Sequence, residues 1–232
     1  MPTQQPDEYR TGHAKFYGQE FIVTPDVLIP RLETEEIVSF VYSTTLKSPK
    51  PLIADIGCGS GCLGLTLAKL FPQAKIYLSD ISPKALEISQ QNARKLFPKT
   101  NQLTFLLSNL LTNYPSNLLF DLIVANLPYI PSRRIKNLPS SVKDFEPHLA
   151  LDGGKGGVES INRLIAQLPK HLKPEGVAIL EIDDTHTLRK FKIPTSSVVA
   201  QGGQNLKFKT EIKKDQFGKN RFLIVRWISH NC

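Results

Sequence analysis

No stretch of this chain is apolar for long enough to cross a membrane. Met1 to Arg10 is polar where a secretory leader would carry an apolar run, so no signal peptide is expected. Cysteine is scarce: Cys58, Cys62 and Cys232 are odd in number and outline no disulfide framework, which points to the cytoplasm. Histidines 13, 148, 171, 186 and 230 are scattered, so none is assigned catalysis. Two thiols without a nearby histidine make a poor zinc site, and no metal is expected. Internal repeats and low-complexity segments are absent as well. These absences exclude a membrane span, a disulfide-stapled scaffold and a solenoid.

What is present is the composition of a globular α/β protein, with 41% hydrophobic and 22% charged residues in a chain of 232. That length is enough for one full core. The formal net charge of +8 is unevenly spread. Basic residues crowd Arg133, Arg134 and Lys136, then Arg189 to Lys192, then Lys207 to Arg226. Such a surface suits an acidic partner, with weak contact to RNA or the ribosome as one reading and a merely solubilising surface as the other.

Strand and helix patterns alternate from Pro51 onward. Pro51 to Ile56 reads as a strand, followed by a glycine loop and a helix through Leu70 that Phe71-Pro72 stops. Lys75 to Asp80 is a second strand. Ser82-Pro83 reads as an N-cap and first-turn proline, opening a helix to about Phe97. Leu103 to Leu107 and Phe120 to Ala125 are further strands. Gly153-Gly-Lys-Gly-Gly157 is expected to be a mobile loop before a helix reaching Leu172, ended by Lys173-Pro-Glu-Gly176, with a fifth strand over Val177 to Ile182. Lys207 to Lys213 and Phe222 to Ile228 read as a hairpin. The predicted fold is therefore α/β: a doubly wound, mainly parallel, seven-stranded sheet with a C-terminal antiparallel hairpin. Residues 1–50 lie outside the alternation. They hold a hairpin pattern (Lys15 to Thr24), an extended Val27 to Arg31 and a helix from near Glu33, expected to pack on a catalytic domain of residues 51–232.

Two loops at strand ends carry the chemistry. Asp55-Ile-Gly57-Cys58-Gly59-Ser60-Gly61 lets backbone approach a ligand closely, and Asp80 ends the next strand where a carboxylate can accept two ribose hydroxyls. The acid at position 55 would repel a pyrophosphate and suits a cation, which favours S-adenosylmethionine over NAD. Asn109, with Leu110 beside it, stands where an adenine amine could be met. Asn126-Leu127-Pro128-Tyr129 follows the fourth strand. It joins a side-chain amide, a carbonyl before a proline that donates no hydrogen bond, and an aromatic face. That set suits an NH2 group held by its two hydrogens. The NH2 could belong to a side-chain amide or to a flipped adenine.

Six strips resemble one family, and they run in order along nearly the whole chain. They are Gly12-x-x-x-Phe16-Tyr-Gly18-x-x-Phe21, Val27-Leu-Ile-Pro-Arg31-x-Glu33-Thr-Glu35, Asp55 to Gly61, Asn126-x-Pro-Tyr129, Glu146-Pro-His-Leu-Ala-Leu-Asp152-Gly-Gly154 and Lys214-Asp-x-x-Gly218-x-x-Arg221-Phe. The family is the protein-(glutamine-N5) methyltransferases that modify peptide chain release factors. The resemblance implies an S-adenosylmethionine-dependent enzyme with Asn126, Pro128 and Tyr129 at the reaction and Asn126 to Tyr129 and Arg31 on the substrate. Asp55, Gly57 to Gly61, Asp80, Asn109, Leu110 and Asn126 would meet the cofactor. Leu127 stands where the family usually has a proline, and Asn109 where an aspartate is common. Most of the helical domain with which family members usually begin has no counterpart here. The resemblance therefore also implies a weakly held, salt-sensitive release factor substrate. Gly202-Gly-Gln204 repeats the tripeptide that this family methylates, which raises self-modification of Gln204. A ribosomal protein as substrate, a nucleic-acid N6-adenine methyltransferase, and a binding protein that kept only the fold are the alternatives.

Overall fold

A computed structural model describes residues 5–43, 46, 48–194, 198–199 and 205–229. Residues 202–204, with Gln204, and Cys232 lie outside the described residues. The chain opens with helix α1 (Asp7–Thr11), a small antiparallel pair β1 (His13–Phe16) and β2 (Gln19–Ile22), and helix α2 (Leu32–Ser43). The alternating part follows as β3 (Leu52–Ile56), α3 (Cys62–Leu70), β4 (Lys75–Asp80), α4 (Pro83–Leu96), β5 (Leu103–Leu107) and β6 (Phe120–Ala125). Short helices α5 (Ser132–Ile135), α6 (Ser140–Lys143) and α7 (His148–Leu151) lead to α8 (Glu159–His171) and β7 (Leu172–Glu181). A 3-10 turn (Leu188–Lys190), β8 (Val198–Val199), β9 (Asn205–Lys214) and β10 (Asn220–Ser229) complete it.

The large sheet runs β5-β4-β3-β6-β7-β10-β9-β8. The first five strands are parallel, and β10, β9 and β8 are antiparallel additions. The expected seven strands are all there, and the two-residue β8 adds an eighth on the outer edge beside β9. The strand order reverses between β3 and β6, so their carboxyl ends splay apart and open a crevice. The glycine loop and the Asn126 tetrapeptide leave the sheet at those two ends.

Both faces of the sheet are covered, which is why β6 reads as a continuous apolar run. Away from the bulge beside Phe120, side chains alternate between two cores. Ile53, Leu122, Val124, Val177, Ile179, Phe222 and Ile224 join α2 and α3 on one face. Ala54, Ile123, Ala125, Ala178, Leu180, Leu223 and Val225 join Ile161, Leu164, Ile165 and Leu168 of α8 on the other. Ser82 caps α4 as expected, its Oγ accepting from Ala85 N at 3.2 Å. The segment before residue 50 is tied to this body. Asn92 of α4 bonds both Ile22 N and Ile22 O, Gln19 Nε2 donates to Thr66 Oγ1, and the Phe40 ring meets Phe222 edge-on.

One expected boundary is overturned. Lys173 to Gly176 does not separate α8 from β7, because the strand already begins at Leu172. Phe120 pairs with Leu172 and Leu122 with Val177, so the intervening residues bulge out of a strand that continues on either side. Lys173 Nζ donates to Asp121 Oδ2 at 2.7 Å across the bulge, and Asp121 Oδ2 also accepts from Leu52 N.

Candidate active site

The crevice holds a cavity of about 310 Å³ whose walls include Asp55, Asp80, Arg31, Asn126, Leu127 and Leu110. Gly57, Cys58, Gly59, Ser60, Asn109 and Pro128 line it too, so the sequence candidates converge here with two exceptions, Gly61 and Tyr129.

Gly61 has a structural task instead. It adopts φ +80°, and a Cβ there would lie 2.3 Å from Ser89 Oγ, so glycine alone lets α3 start against α4. The loop before it is closed on itself. Gly57 N and Cys58 N both donate to Ser79 O, Gly59 N donates to Asp80 Oδ2 at 2.9 Å, and Gly61 N donates to Cys58 O. A loop that cradles phosphate turns its N–H groups towards the ligand. Here they point inward, which disfavours a pyrophosphate independently of the acid at position 55. In front of Gly59 the space is open, with nothing within 4 Å of where a Cβ would stand.

Asp80 is positioned by two backbone donors, Gly59 N on Oδ2 and Ser82 N on Oδ1. Each oxygen keeps a lone pair for a hydroxyl donor. Burial raises the Asp80 carboxyl, and those N–H bonds oppose the rise. Asp55 lies deeper, only 1% exposed, with Oδ2 accepting from Gly64 N at 2.8 Å. Burial pushes its carboxyl up to about 7 against that bond, and the neighbouring Asp80 adds to the rise. Burial likewise pushes the Cys62 thiol up to about 12 and Cys58 well above its ordinary value, so both are packing groups rather than nucleophiles. Among the described residues no cluster of three His, Cys, Asp or Glu side chains could hold a metal ion.

Asn109 meets a partner that sequence reading missed: its Oδ1 accepts from Arg163 Nη2 at 2.7 Å. An adenine amine would have to share that oxygen. Leu110 is bent to φ +57°, and its carbonyl accepts from Ser108 Oγ at 2.7 Å, which turns the chain around the cavity edge. Ile81, next to Asp80 and 49% exposed, offers an apolar face into the same cavity. Arg31 is ion-paired with Glu146 Oε1, which joins the Val27 to Glu35 strip to the Glu146 to Gly154 strip on one wall.

The tetrapeptide is held by Thr34, which shares its cavity wall, and by Glu181 behind it. Asn126 Nδ2 donates to Thr34 Oγ1 at 2.9 Å, and Thr34 Oγ1 donates to Glu181 Oε2 at 2.7 Å. The Tyr129 hydroxyl donates to Glu181 Oε1 at 3.0 Å. The phenol is thus anchored away from the cavity walls, while Leu127 sits on the wall with its side chain packed against Gly57.

The glycine-rich segment after Asp152 also differs from the mobile loop expected. Ile130 pairs in parallel with Asp152, with Ile130 N donating to Leu151 O and Gly153 N to Ile130 O. Gly157 at φ +74° lies flush against the tetrapeptide, and a Cβ there would stand 2.4 Å from Tyr129 O. Gly157→Ala should therefore destabilise the protein by about 1–3 kcal/mol and displace the tetrapeptide. Thermal melting checks the first effect. An unchanged melting temperature would show that this wall yields without strain.

A methyltransferase domain family matches residues 49–217. The release factor glutamine methyltransferase of Koribacter versatilis is 44% identical over 178 residues, 77% of this chain and 62% of that protein. The protein of the same name from Flavobacterium psychrophilum is 35% identical over 231 residues, covering 98% of this chain and 77% of that one. A solved structure of ribosomal protein L11 methylase from Lactobacillus delbrueckii subsp. bulgaricus aligns with a TM-score of 0.53 at 21% identity, over 86% of this chain and 79% of that one, a likeness of fold alone. The chain belongs to the release factor glutamine methyltransferase family. It spans 62% of the length of the Koribacter relative and of its Moorella thermoacetica counterpart.

Proposed function

We propose that this chain transfers a methyl group from S-adenosylmethionine to the side-chain nitrogen of a glutamine, in the Gly-Gly-Gln loop of a peptide chain release factor, in the cytoplasm. One observation carries the reading: the two carboxylates suited to a cationic, ribose-bearing donor and the Asn126–Pro128 segment suited to an NH2 group line one cavity. Asp55 would face the cationic end of the donor, Asp80 its ribose hydroxyls, and Ile81 and Leu110 the flat adenine. When bound, S-adenosylmethionine supplies an electrophilic methyl group on a sulfonium.

The remaining work falls to this chain. A glutamine nitrogen is a poor nucleophile, because its lone pair is delocalised into the carbonyl, and no ordinary side-chain base removes its proton beforehand. Asn126 Oδ1 and the Leu127 carbonyl would accept the two hydrogens, which aims the nitrogen lone pair; as the N–C bond forms and the donor's S–C bond breaks, one of those protons is lost to water. Leu127 keeps that carbonyl, so the residue that replaces the family's proline still serves. Orientation of this kind can supply much of a rate enhancement. Arg31, held by Glu146 on the cavity wall, would meet the substrate.

The raised Asp55 carboxyl gives this reading a pH signature. Its folded value lies above its unfolded one, so the stability tied to the protonated form is lost as pH rises from about 4 through 7. A cation bound beside it favours the ionised form. Donor affinity should therefore climb by up to tenfold per pH unit below about 7 and level off above it. Calorimetric titration between pH 5.5 and 8 checks this, with Asp55→Asn expected to flatten the curve. A flat wild-type curve would remove Asp55 from the donor site.

The substrate is tested by incubating the protein with labelled S-adenosylmethionine and separate pools of release factors, ribosomal proteins and RNA. Label is expected on the glutamine of a release factor. Label in RNA alone would overturn the reading in favour of an adenine amine.

A further inference from the structure

Thr34 and Glu181 stand outside the tetrapeptide, yet they govern which atom of Asn126 is free for a substrate. Thr34 lies in the first turn of α2 and Glu181 at the carboxyl end of β7, and both are buried, at 3% and 1% exposure. Each hydroxyl has one hydrogen to give, and an ionised carboxylate has none. Glu181 accepts from Thr34 on Oε2 and from Tyr129 on Oε1. The Thr34 hydrogen is thereby spent on Glu181, and only lone pairs remain on Oγ1 to face Asn126. Asn126 then turns its NH2 towards Thr34, at 2.9 Å, and its Oδ1 has no hydrogen-bond partner among the described residues.

A neutral side chain at position 181 would break this logic. It could donate to Thr34, whose hydrogen would then point at Asn126 and hold the amide the other way round. Two NH2 groups would confront each other across the reaction site. Burial raises the Glu181 carboxyl, and the hydrogen bonds from Thr34 and Tyr129 and the charge of Arg221, itself paired with Asp215 at 3.1 Å, oppose the rise. This gives a task to the Lys214 to Phe222 strip, which supplies both Asp215 and Arg221.

We infer that Thr34 and Glu181 are positioning residues that set the polarity of the Asn126 amide, with its oxygen towards the substrate NH2. The inference rests on the glutamine-methylating reading above. Its test compares the whole wild-type chain with Thr34→Val, Thr34→Ser and Glu181→Gln, using labelled S-adenosylmethionine and a release factor. Thr34→Val should lower kcat by about tenfold or more, with KM and donor affinity held within about twofold. Thr34→Ser, which restores the hydroxyl, should recover most of the loss. Glu181→Gln keeps the shape but can donate, and should lose kcat as Thr34→Val does.

A second readout does not need turnover. The Asn126 side-chain NH2 signal, identified in the nitrogen-15 NMR spectrum by its loss in Asn126→Ala, should move in Thr34→Val and in Glu181→Gln and hold its place in Thr34→Ser. If Thr34→Val does not fold, Glu181→Gln carries the test alone. Unchanged kcat in the folded variants, or a serine variant no better than valine, would overturn the inference. Should the wild type label no release factor while the Asn126 signal still responds as described, the glutamine reading fails and the positioning role stands.

Discussion

Alanine in place of Asn126 should lower methyl transfer by about a hundred- to a thousandfold while leaving donor affinity within a few-fold. The amide oxygen it removes matters most when the substrate nitrogen is giving up a proton, so its loss raises the barrier more than it weakens ground-state binding. Although Asn126 is itself expected beside the donor, the proposed contacts of Asp55, Asp80, Ile81 and Leu110 do not depend on its amide. The substitution also strips Thr34 Oγ1 of one donor, a cost of about 1 kcal/mol that a melting curve would register separately. Single-turnover transfer and calorimetric binding of S-adenosylmethionine, measured on one preparation, separate the two effects. A variant that keeps most of its turnover would show that the Leu127 carbonyl alone orients the substrate.

Asp80→Ala should act in the opposite sense, weakening donor binding by about ten- to a hundredfold, or roughly 1–3 kcal/mol. Asp80 serves two ways. Its oxygens are offered to ligand hydroxyls, and they also hold Gly59 N and Ser82 N, which shape the glycine loop and the start of α4. Alanine removes both, so the loss should exceed that of Asp80→Asn, which keeps one acceptor for a backbone N–H. With saturating donor, turnover of either variant should approach the wild-type rate, because neither touches the tetrapeptide. Titration with NAD provides the control. Tighter binding of NAD than of S-adenosylmethionine by the wild type would sink the assignment of the site.

The amino-acid sequence by itself determined the strands, the helices that alternate with them, and the two loops that carry the chemistry. Those are local signals. Buried strands covered on both faces show as apolar runs, Ser82-Pro83 announces a helix start, and glycine spacing after Asp55 marks a close backbone turn. Where a local signal was misread, at Lys173 to Gly176, the reason is also local, because a bulge and a helix terminator use the same residues. The mobile loop expected at Gly153 to Gly157 fails for a different reason. Glycine there answers a close approach to Tyr129, and nothing near position 155 in sequence reveals that neighbour.

Only the tertiary structure decided how the site is held. Thr34 and Asn126 are 92 residues apart, Thr34 and Glu181 147 apart, and Asn109 and Arg163 54 apart. Such pairs leave no periodic trace. They exist because the reversal of strand order between β3 and β6 brings the carboxyl ends of β6 and β7 beside the first turn of α2. Thr34 was visible inside a motif without a task, and Glu181 fell unremarked within the strand expected over Val177 to Ile182. The hydrogen that Thr34 gives to Glu181, and cannot give to Asn126, is a fact of three dimensions.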